Sequence, residues 1–285
     1  MNSVDNTKST SLNIVIIGAG KVGQSLKQLF DLNQHKATLI GREIENYRDT
    51  ISEANLILIT TTDSAIKEVC KRISPYLNKS SVVSHCSGAL NSSILKTAKE
   101  RGCAIASSHP LNTFPSLSAA LNTFANTDHN TYLYCEGDEA ALERINRAFK
   151  PSGFHIVTIA SDAKTAYHTA CVFACNYLTV LMDLSLKTAE RNGIDTTQFW
   201  QAIQPLVQAT LTNISEHGTT DALSGPIARG DSETITQHLD FLSKEDQSTN
   251  DAYLLLAKRA LQLANQQGKL SDDKLSQLHT IMNNK

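Results

Sequence analysis

The chain has 285 residues, 41% of them hydrophobic and 19% charged, with a formal net charge of −2. That is enough apolar material for packed cores in one large domain or two, and the near-neutral balance, with no basic run or cluster, excludes a broad nucleic-acid footprint. No apolar stretch reaches the roughly 18 residues of a membrane span, and residues 1–11 are polar, which reads as a disordered leader and not as a signal peptide.

The first element is the apolar run Leu12 to Ile17, followed by Gly18-Ala19-Gly20-Lys21-Val22-Gly23, an amphipathic segment to Leu32, and a second apolar run from Ala37 to Ile40. Strand, glycine turn, helix and strand, with G-x-G-x-x-G at the first junction, make a dinucleotide-binding fingerprint. Gly18 lets the chain turn sharply, Gly20 lets a pyrophosphate approach the backbone, and Gly23 lets the helix pack close to the strand. The helix start, with Lys21 and Val22, turns its free N–H groups toward the phosphates. The second strand ends in Gly41-Arg42. An NAD site ordinarily places a carboxylate there for the ribose 2′-OH, whereas an arginine holds a 2′-phosphate through two parallel bonds, so the expected cofactor is NADP(H). A shift of one residue would bring Glu43 into play instead.

Ala54 to Thr60 reads as a third strand ending in Thr60-Thr61-Thr62-Asp63, with Asp63 as N-cap of a helix over 64–77. Ligands of open α/β sheets bind outside the carboxyl ends of the strands, which places Thr60, Thr61 and Thr62 beside the cofactor. A fourth strand, 81–84, ends in His85-Cys86-Ser87-Gly88-Ala89, and a helix spans 92–101. A fifth strand, 103–107, ends in Ser108-His109-Pro110. By the same rule His85, Ser87 and His109 face the ligand cleft, where a histidine can donate, accept or transfer a proton near neutral pH. Phe114 to Asn126 reads as an irregular loop or short helix over the cleft mouth. Strands at 131–135 and 154–159 flank a helix over 139–149 capped by Asp138. From residue 160 the pattern is helical throughout: 163–191, 196–216, 232–243, 244–267 and 272–283. The boundary falls near 160, giving a doubly wound, mostly parallel Rossmann domain over 12–160 and an all-α domain over 161–285.

Six cysteines, at 70, 86, 103, 135, 171 and 175, match neither a zinc C-x-x-C pair nor a disulfide framework. Most lie in apolar runs, where a free thiol acts as a small hydrophobe, and a reducing cytoplasm is the simplest setting. Cys86 differs, because it sits between His85 and Ser87 at a strand end.

Lys164 and His168 stand at i and i+4 on one face of the first long helix, and Asn176, a candidate substrate ligand, lies about 120° round it. A lysine beside an apolar face can have its pKa lowered and serve as proton donor or acceptor in hydride transfer to a carbonyl or imine. In the Gly225 to Asp231 loop, Asp231 can cap the next helix, leaving Arg229 to bind an anionic group of substrate or cofactor. A zinc centre from His85, Cys86, His109 and His168 lacks supporting ligand spacing.

A dinucleotide domain followed by helices, with Lys164-x-x-x-His168 on the first of them, resembles the 6-phosphogluconate and β-hydroxyacid dehydrogenase superfamily, whose relatives include ketopantoate, pyrroline-5-carboxylate and deazaflavin-dependent NADP reductases. Its motif there is Lys-x-x-x-Asn. The resemblance implies that Lys164 is the catalytic acid/base and that His168 stands where a substrate-binding asparagine is found, so a hydroxyacid specificity does not carry over. His109-Pro110 is similar to a His-Pro pair in prephenate dehydrogenases. His85-Cys86-Ser87-Gly88-Ala89-Leu90, Ser108-His109-Pro110-Leu111, Lys164-x-x-Tyr167-His168 and Gly225-Pro226-Ile227-Ala228-Arg229-Gly230-Asp231 together resemble Rossmann-like proteins with a C-terminal domain of unknown function, provisionally described as NADP oxidoreductases. The resemblance implies an NADP(H)-dependent oxidoreductase that acts on a small carbonyl, hydroxyl or imine compound carrying an acidic group. It also implies a homodimer through the helical domain, while charge and hydropathy point to no membrane or nucleic-acid partner. The alternative is a non-catalytic NADP(H) sensor or partner-binding protein.

Overall fold

The computed structural model describes residues 11–113 and 131–284. The expected leader, apart from Ser11, and the expected loop over Phe114 to Asn126 lie outside them. Two compact units divide the chain, 1–175 and 176–285. The boundary expected near 160 therefore falls later, because the helix that carries Lys164 packs with the sheet unit.

In the first unit, β1 (Asn13–Ile17), α1 (Lys21–Leu32) and β2 (Lys36–Ile40) form the opening fingerprint. A short helix α2 (Arg48–Ser52), β3 (Leu56–Ile59), α3 (Asp63–Ile73), β4 (Val82–His85), α4 (Lys96–Glu100) and β5 (Ala104–Leu111) follow. Then come β6 (Thr131–Gly137), α5 (Glu139–Phe149), β7 (Phe154–Thr158) and α6 (Lys164–Cys171). The seven strands lie in the order β2-β1-β3-β4-β5-β6-β7, parallel except where β6 runs antiparallel to β5. Both faces of the sheet are buried, which is why its strands read as continuous apolar runs. Ile14 and Ile16 pack with Leu26, Phe30, Ile145 and Phe149 on one face, and Val15 and Ile17 pack with Ile66, Val69 and Ile73 on the other. The strand order reverses at β1, between β2 and β3, which opens a crevice at the carboxyl ends of β1 and β3.

The fifth strand runs on to Leu111, beyond its expected end at 107. Its extension pairs with β6, His109 opposite Tyr134 and Pro110 opposite Leu133. It has outrun β4, whose pairing stops at His85 with Ser107, and a proline is tolerated on such an open edge.

A π-helical stretch, Val172–Asn176, follows α6. The second unit holds α7 (Tyr177–Arg191), α8 (Thr196–Ala222), a one-turn α9 (Pro226–Arg229), α10 (Ser232–Leu242), α11 (Gln247–Gln267) and α12 (Asp272–Asn283). Its core comes from α10, α11 and α12, with Ile235, Leu239, Ala257, Leu261, Leu278 and Met282. In contrast, α8 buries none of its residues, and Gly218 breaks it with φ 77°, close to the expected helix end at 216. One expectation is corrected here. The 31-residue helical run Ser161–Arg191 is long and apolar enough, by length and composition alone, to cross a membrane. Its Tyr, Thr, Cys and Asn residues interrupt the apolar run without making it polar on average.

Candidate active site

The fingerprint turn is built as its glycines require. Gly18 has φ +126°, and a Cβ there would lie 2.8 Å from the Thr60 carbonyl carbon. Its N–H donates to Ile40 O at 2.9 Å, while Thr60 Oγ1 donates to Gly18 O at 2.9 Å. Thr60 thus holds the turn; Thr60 and Thr61 are half-buried and Thr62 is exposed. Gly20 is the N-cap of α1, whose first turn carries neither a side-chain cap nor an acidic residue. A Cβ on Gly20 or on Gly41 would meet nothing within 4 Å among the described residues. The α1 N-terminus and the end of β2 therefore present open backbone, which fits the approach of a pyrophosphate. Arg42, after Gly41, is exposed.

A second cluster lies at the ends of β4 and β5, with α6 beside it. Lys164 is 1% exposed. Its Nζ donates to Ser87 O at 3.0 Å and stands 5.6 Å from the Tyr167 ring centroid. Burial lowers its pKa, opposed first by the carboxylate of Glu136. Tyr167 stacks on Tyr134 with centroids 4.5 Å apart, and its hydroxyl lies 2.8 Å from His109 Nδ1. Burial pushes the Tyr167 pKa up and brings His109 down to about 4. With a protonated hydroxyl and a neutral imidazole, the pair is satisfied by Tyr167 donating to Nδ1, which leaves the ring proton on Nε2. The His168 ring meets His109 edge-on at 6.0 Å. Its Nδ1 is buried without a hydrogen-bond partner among the described residues, and a Cβ on Gly88 would lie 2.5 Å from that atom and 3.1 Å from His109 Nε2. Gly88 is thus where the two imidazoles meet the backbone.

The structure brings Lys164, His168 and His109 together and gives His85 and Ser87 different work. His85 is fully buried. Its Nδ1 accepts from Ser87 N at 3.2 Å, so its Nε2–H is left to donate to Asn91 O, also at 3.2 Å. Both ring nitrogens are occupied within the 85–91 turn, and desolvation lowers the pKa to about 4. Ser87 Oγ donates to Asp63 Oδ2 at 2.9 Å and accepts from Ala89 N and Leu90 N at 3.2 and 3.0 Å. Asp63, expected as a helix cap, instead occupies the first turn of α3, with Thr62 at the N-cap, and clamps the Ser87 turn. Burial raises the Cys86 thiol to about 12, against the opposing pull of Lys164 and Ser108, so it stays protonated and inert.

Tyr167, Tyr134 and Glu136 are the site residues that sequence reasoning left without a role, and Asp63 had only that of a helix cap. Tyr167 was accessible to it, lying three residues after Lys164 on the same helix face. Buried Glu136 accepts from Ser92 N at 2.6 Å and Ser92 Oγ at 2.9 Å, a pairing across 44 residues with no local signal. Asn176 and Arg229 belong to the second unit. Arg229, expected to be free for an anion, lies 4.0 Å from Asp231 Oδ2, and Asp231 caps α10 as expected, accepting from Thr234 N.

An acid-stability prediction arises from the buried His85. Its unfolded-state pKa is near 6.5 and its folded value about 4, so the unfolded chain binds more protons between those values. Stability is full above pH 6.5 and falls as pH drops toward 4, by on the order of 3 kcal/mol from this residue. Urea unfolding from pH 7 to 4 should show the loss, and His85→Gln should lessen it, leaving the share of His109, which carries the same shift.

The same architecture recurs in solved structures. A protein proposed to be an NADP oxidoreductase from Bacteroides fragilis aligns over 88% of this chain and 98% of its own, with TM-score 0.69 and 20% identity. The imine reductase of Myxococcus stipitatus, in complex with NADP+, aligns over 87% of this chain and 94% of its own, with TM-score 0.62 and 17% identity. The Plasmodium falciparum pyrroline carboxylate reductase with NADP bound aligns over 90% and 97%, with TM-score 0.59 and 13% identity. The fold is that of NAD(P)-dependent oxidoreductases. Residues 131–260 match a domain of unknown function, DUF2520. No curated protein matches the chain significantly. The DUF2520 segment runs from β6 into α11, so it contains Glu136, Lys164, Tyr167 and His168 while the glycine turn lies outside it.

Proposed function

We propose that the protein is an NADP(H)-dependent oxidoreductase acting on a small carbonyl, hydroxyl or imine compound. The observation that carries this reading is Lys164, a buried lysine hydrogen-bonded to one backbone carbonyl and surrounded by Tyr167, His109 and His168, in the same unit as an open glycine turn. Gly18, Gly20 and Gly23, with the α1 N–H groups at Lys21 and Val22, would hold the pyrophosphate, and Gly41 and Arg42 the 2′-phosphate. The relatives that bind NADP+ support the cofactor, and the imine and pyrroline carboxylate reductases among them support the reaction class.

When bound, the nicotinamide supplies or accepts the hydride. Lys164 keeps one N–H on Ser87 O, and burial weakens its hold on its proton, which suits it to deliver that proton to the substrate heteroatom. His109 Nε2–H and the imidazole of His168 orient the substrate. The Asp63–Ser87 clamp fixes the turn that receives Lys164.

The test is to titrate the protein with NADPH and then follow the loss of reduced-nicotinamide absorbance across cyclic imines, keto acids and aldehydes. Turnover with any class supports the reading, whereas tight NADPH binding without oxidation across the panel would favour the non-catalytic sensor. For the cofactor itself, Arg42→Ala is expected to erase most of the preference for NADPH over NADH in fluorescence titrations; equal wild-type affinities would defeat that assignment.

A homodimer through the helical unit belongs to the same reading. It is supported by exposed Tyr177, Val180, Leu181, Trp200, Leu206 and Leu211 on the adjoining helices α7 and α8, large apolar side chains that a second subunit would cover. Sedimentation of purified protein in detergent-free buffer should give twice the chain mass, while recovery only with detergent would point to a membrane.

A further inference from the structure

We infer that Arg72 is a positioning residue for cofactor choice: by sequestering the Glu45 carboxylate and bracing the backbone of Arg42, it makes the end of β2 selective for the phosphorylated dinucleotide. This rests on the NADP(H) reading above.

Two carboxylates follow Arg42 closely, Glu43 and Glu45. A free carboxylate at the end of β2 would accept from a ribose 2′-OH and repel a 2′-phosphate, so the charges here decide the cofactor. The structure engages both. Glu43 Oε2 accepts from Asn46 Nδ2 at 3.1 Å. Glu45 is gripped by Arg72 from α3: Nη2 donates to Oε1 at 2.8 Å and to Oε2 at 2.9 Å, and Nε donates to Oε1 at 3.1 Å. The same Nη2 donates to the carbonyl oxygen of Arg42 at 3.1 Å. One guanidinium thus neutralises the acidic group and ties down the backbone of the residue expected to meet the phosphate. The pairing holds the Glu45 pKa below the usual carboxylate range, chiefly through the Arg72 hydrogen bonds, with Arg48 adding attraction. Glu45 is therefore ionised at neutral pH and would be a live negative charge if Arg72 were lost. Meanwhile Arg48 stands over the Tyr76 ring at 5.3 Å, and no hydrogen bond engages the Arg42 side chain among the described residues.

An exposed ion pair adds little to folding, so removing Arg72 leaves the protein folded and its effect is read in binding. The full chain is titrated with NADPH, NADH, 2′,5′-ADP and 5′-AMP at low salt, where exposed charges are least screened, in four forms: wild type, Arg72→Met, Glu45→Gln and Arg72→Met/Glu45→Gln. Wild type is expected to favour NADPH and 2′,5′-ADP. Arg72→Met should weaken both by about fivefold and leave NADH and 5′-AMP unchanged or improved. Glu45→Gln should retain the preference, and the double variant should recover most of the loss. A wild-type preference that survives Arg72→Met, or a double variant as impaired as the single, overturns the inference alone. No preference in the wild type overturns the cofactor reading and the inference with it.

Discussion

Gly23→Ala is expected to destabilise the protein by about 2–3 kcal/mol and to abolish dinucleotide binding. A Cβ at this position would lie 2.0 Å from Gly18 O and 2.7 Å from Thr60 Oγ1. Neither neighbour can give way cheaply. Gly18 is held at φ +126°, with its N–H on Ile40 O and its carbonyl on Thr60 Oγ1. The strain must instead lift α1 from the sheet, where Leu26, Leu29 and Phe30 are buried. Gly20→Ala is the control that separates folding from binding. Its Cβ meets nothing within 4 Å among the described residues, and alanine in place of an N-cap glycine costs about 0.5–1 kcal/mol, so the urea midpoint should move well under half as far as in Gly23→Ala. The methyl group would nonetheless stand where the pyrophosphate must come close, and NADPH affinity should fall. Urea unfolding with parallel NADPH titrations checks both variants. A fully stable, NADPH-binding Gly23→Ala protein would show that the turn is not the cofactor cradle.

The contrast between these glycines also shows how much the sequence could disclose. G-x-G-x-x-G at a strand-to-helix junction is a local pattern with local consequences, and the turn forms as its spacing demands. Lys164 and His168 were legible for the same reason, because i and i+4 on a helix share a face whatever lies opposite. Placement at a strand end was right for His85 as well, but not its orientation. The Ser87 N–H and the Asn91 carbonyl close the turn around that imidazole, and nothing in a strand-end rule says whether a ring faces the cleft or its own loop. His109 was expected in a loop and lies in β5, since the antiparallel pairing with Tyr134 joins segments 25 residues apart. Glu136 and Tyr134 enter the site through that same pairing. What the local pattern could not supply was long-range: which strand an extension finds, and which buried group a distant carboxylate serves.

Lys164→Met is expected to lower turnover by about a hundred- to ten-thousand-fold on any substrate the panel identifies, without loss of NADPH binding and with a gain in stability at neutral pH. The two halves share one cause. The ammonium is buried, and its pKa is lowered from the ordinary 10.5 mainly by desolvation, so the fold carries an unfavourable charge. Between the folded value and 10.5 the unfolded chain binds more protons, and stability climbs with pH across that window. Below it, both states are protonated and the burden of the buried charge is greatest. Methionine has nearly the same length, packs in apolar surroundings and removes the charge. Ser87 O keeps a contact from Ser107 Oγ at 3.4 Å, so it is not left bare. Urea unfolding of both proteins from pH 7 to 10.5 should show wild type gaining stability relative to the variant as pH rises. A structural lysine would behave otherwise: its removal would destabilise the fold at pH 7 and leave the chemistry of the remaining molecules intact. The opposite pairing, a stabler protein that binds cofactor and does not turn over, is the mark of a group kept at a cost to the fold for the reaction.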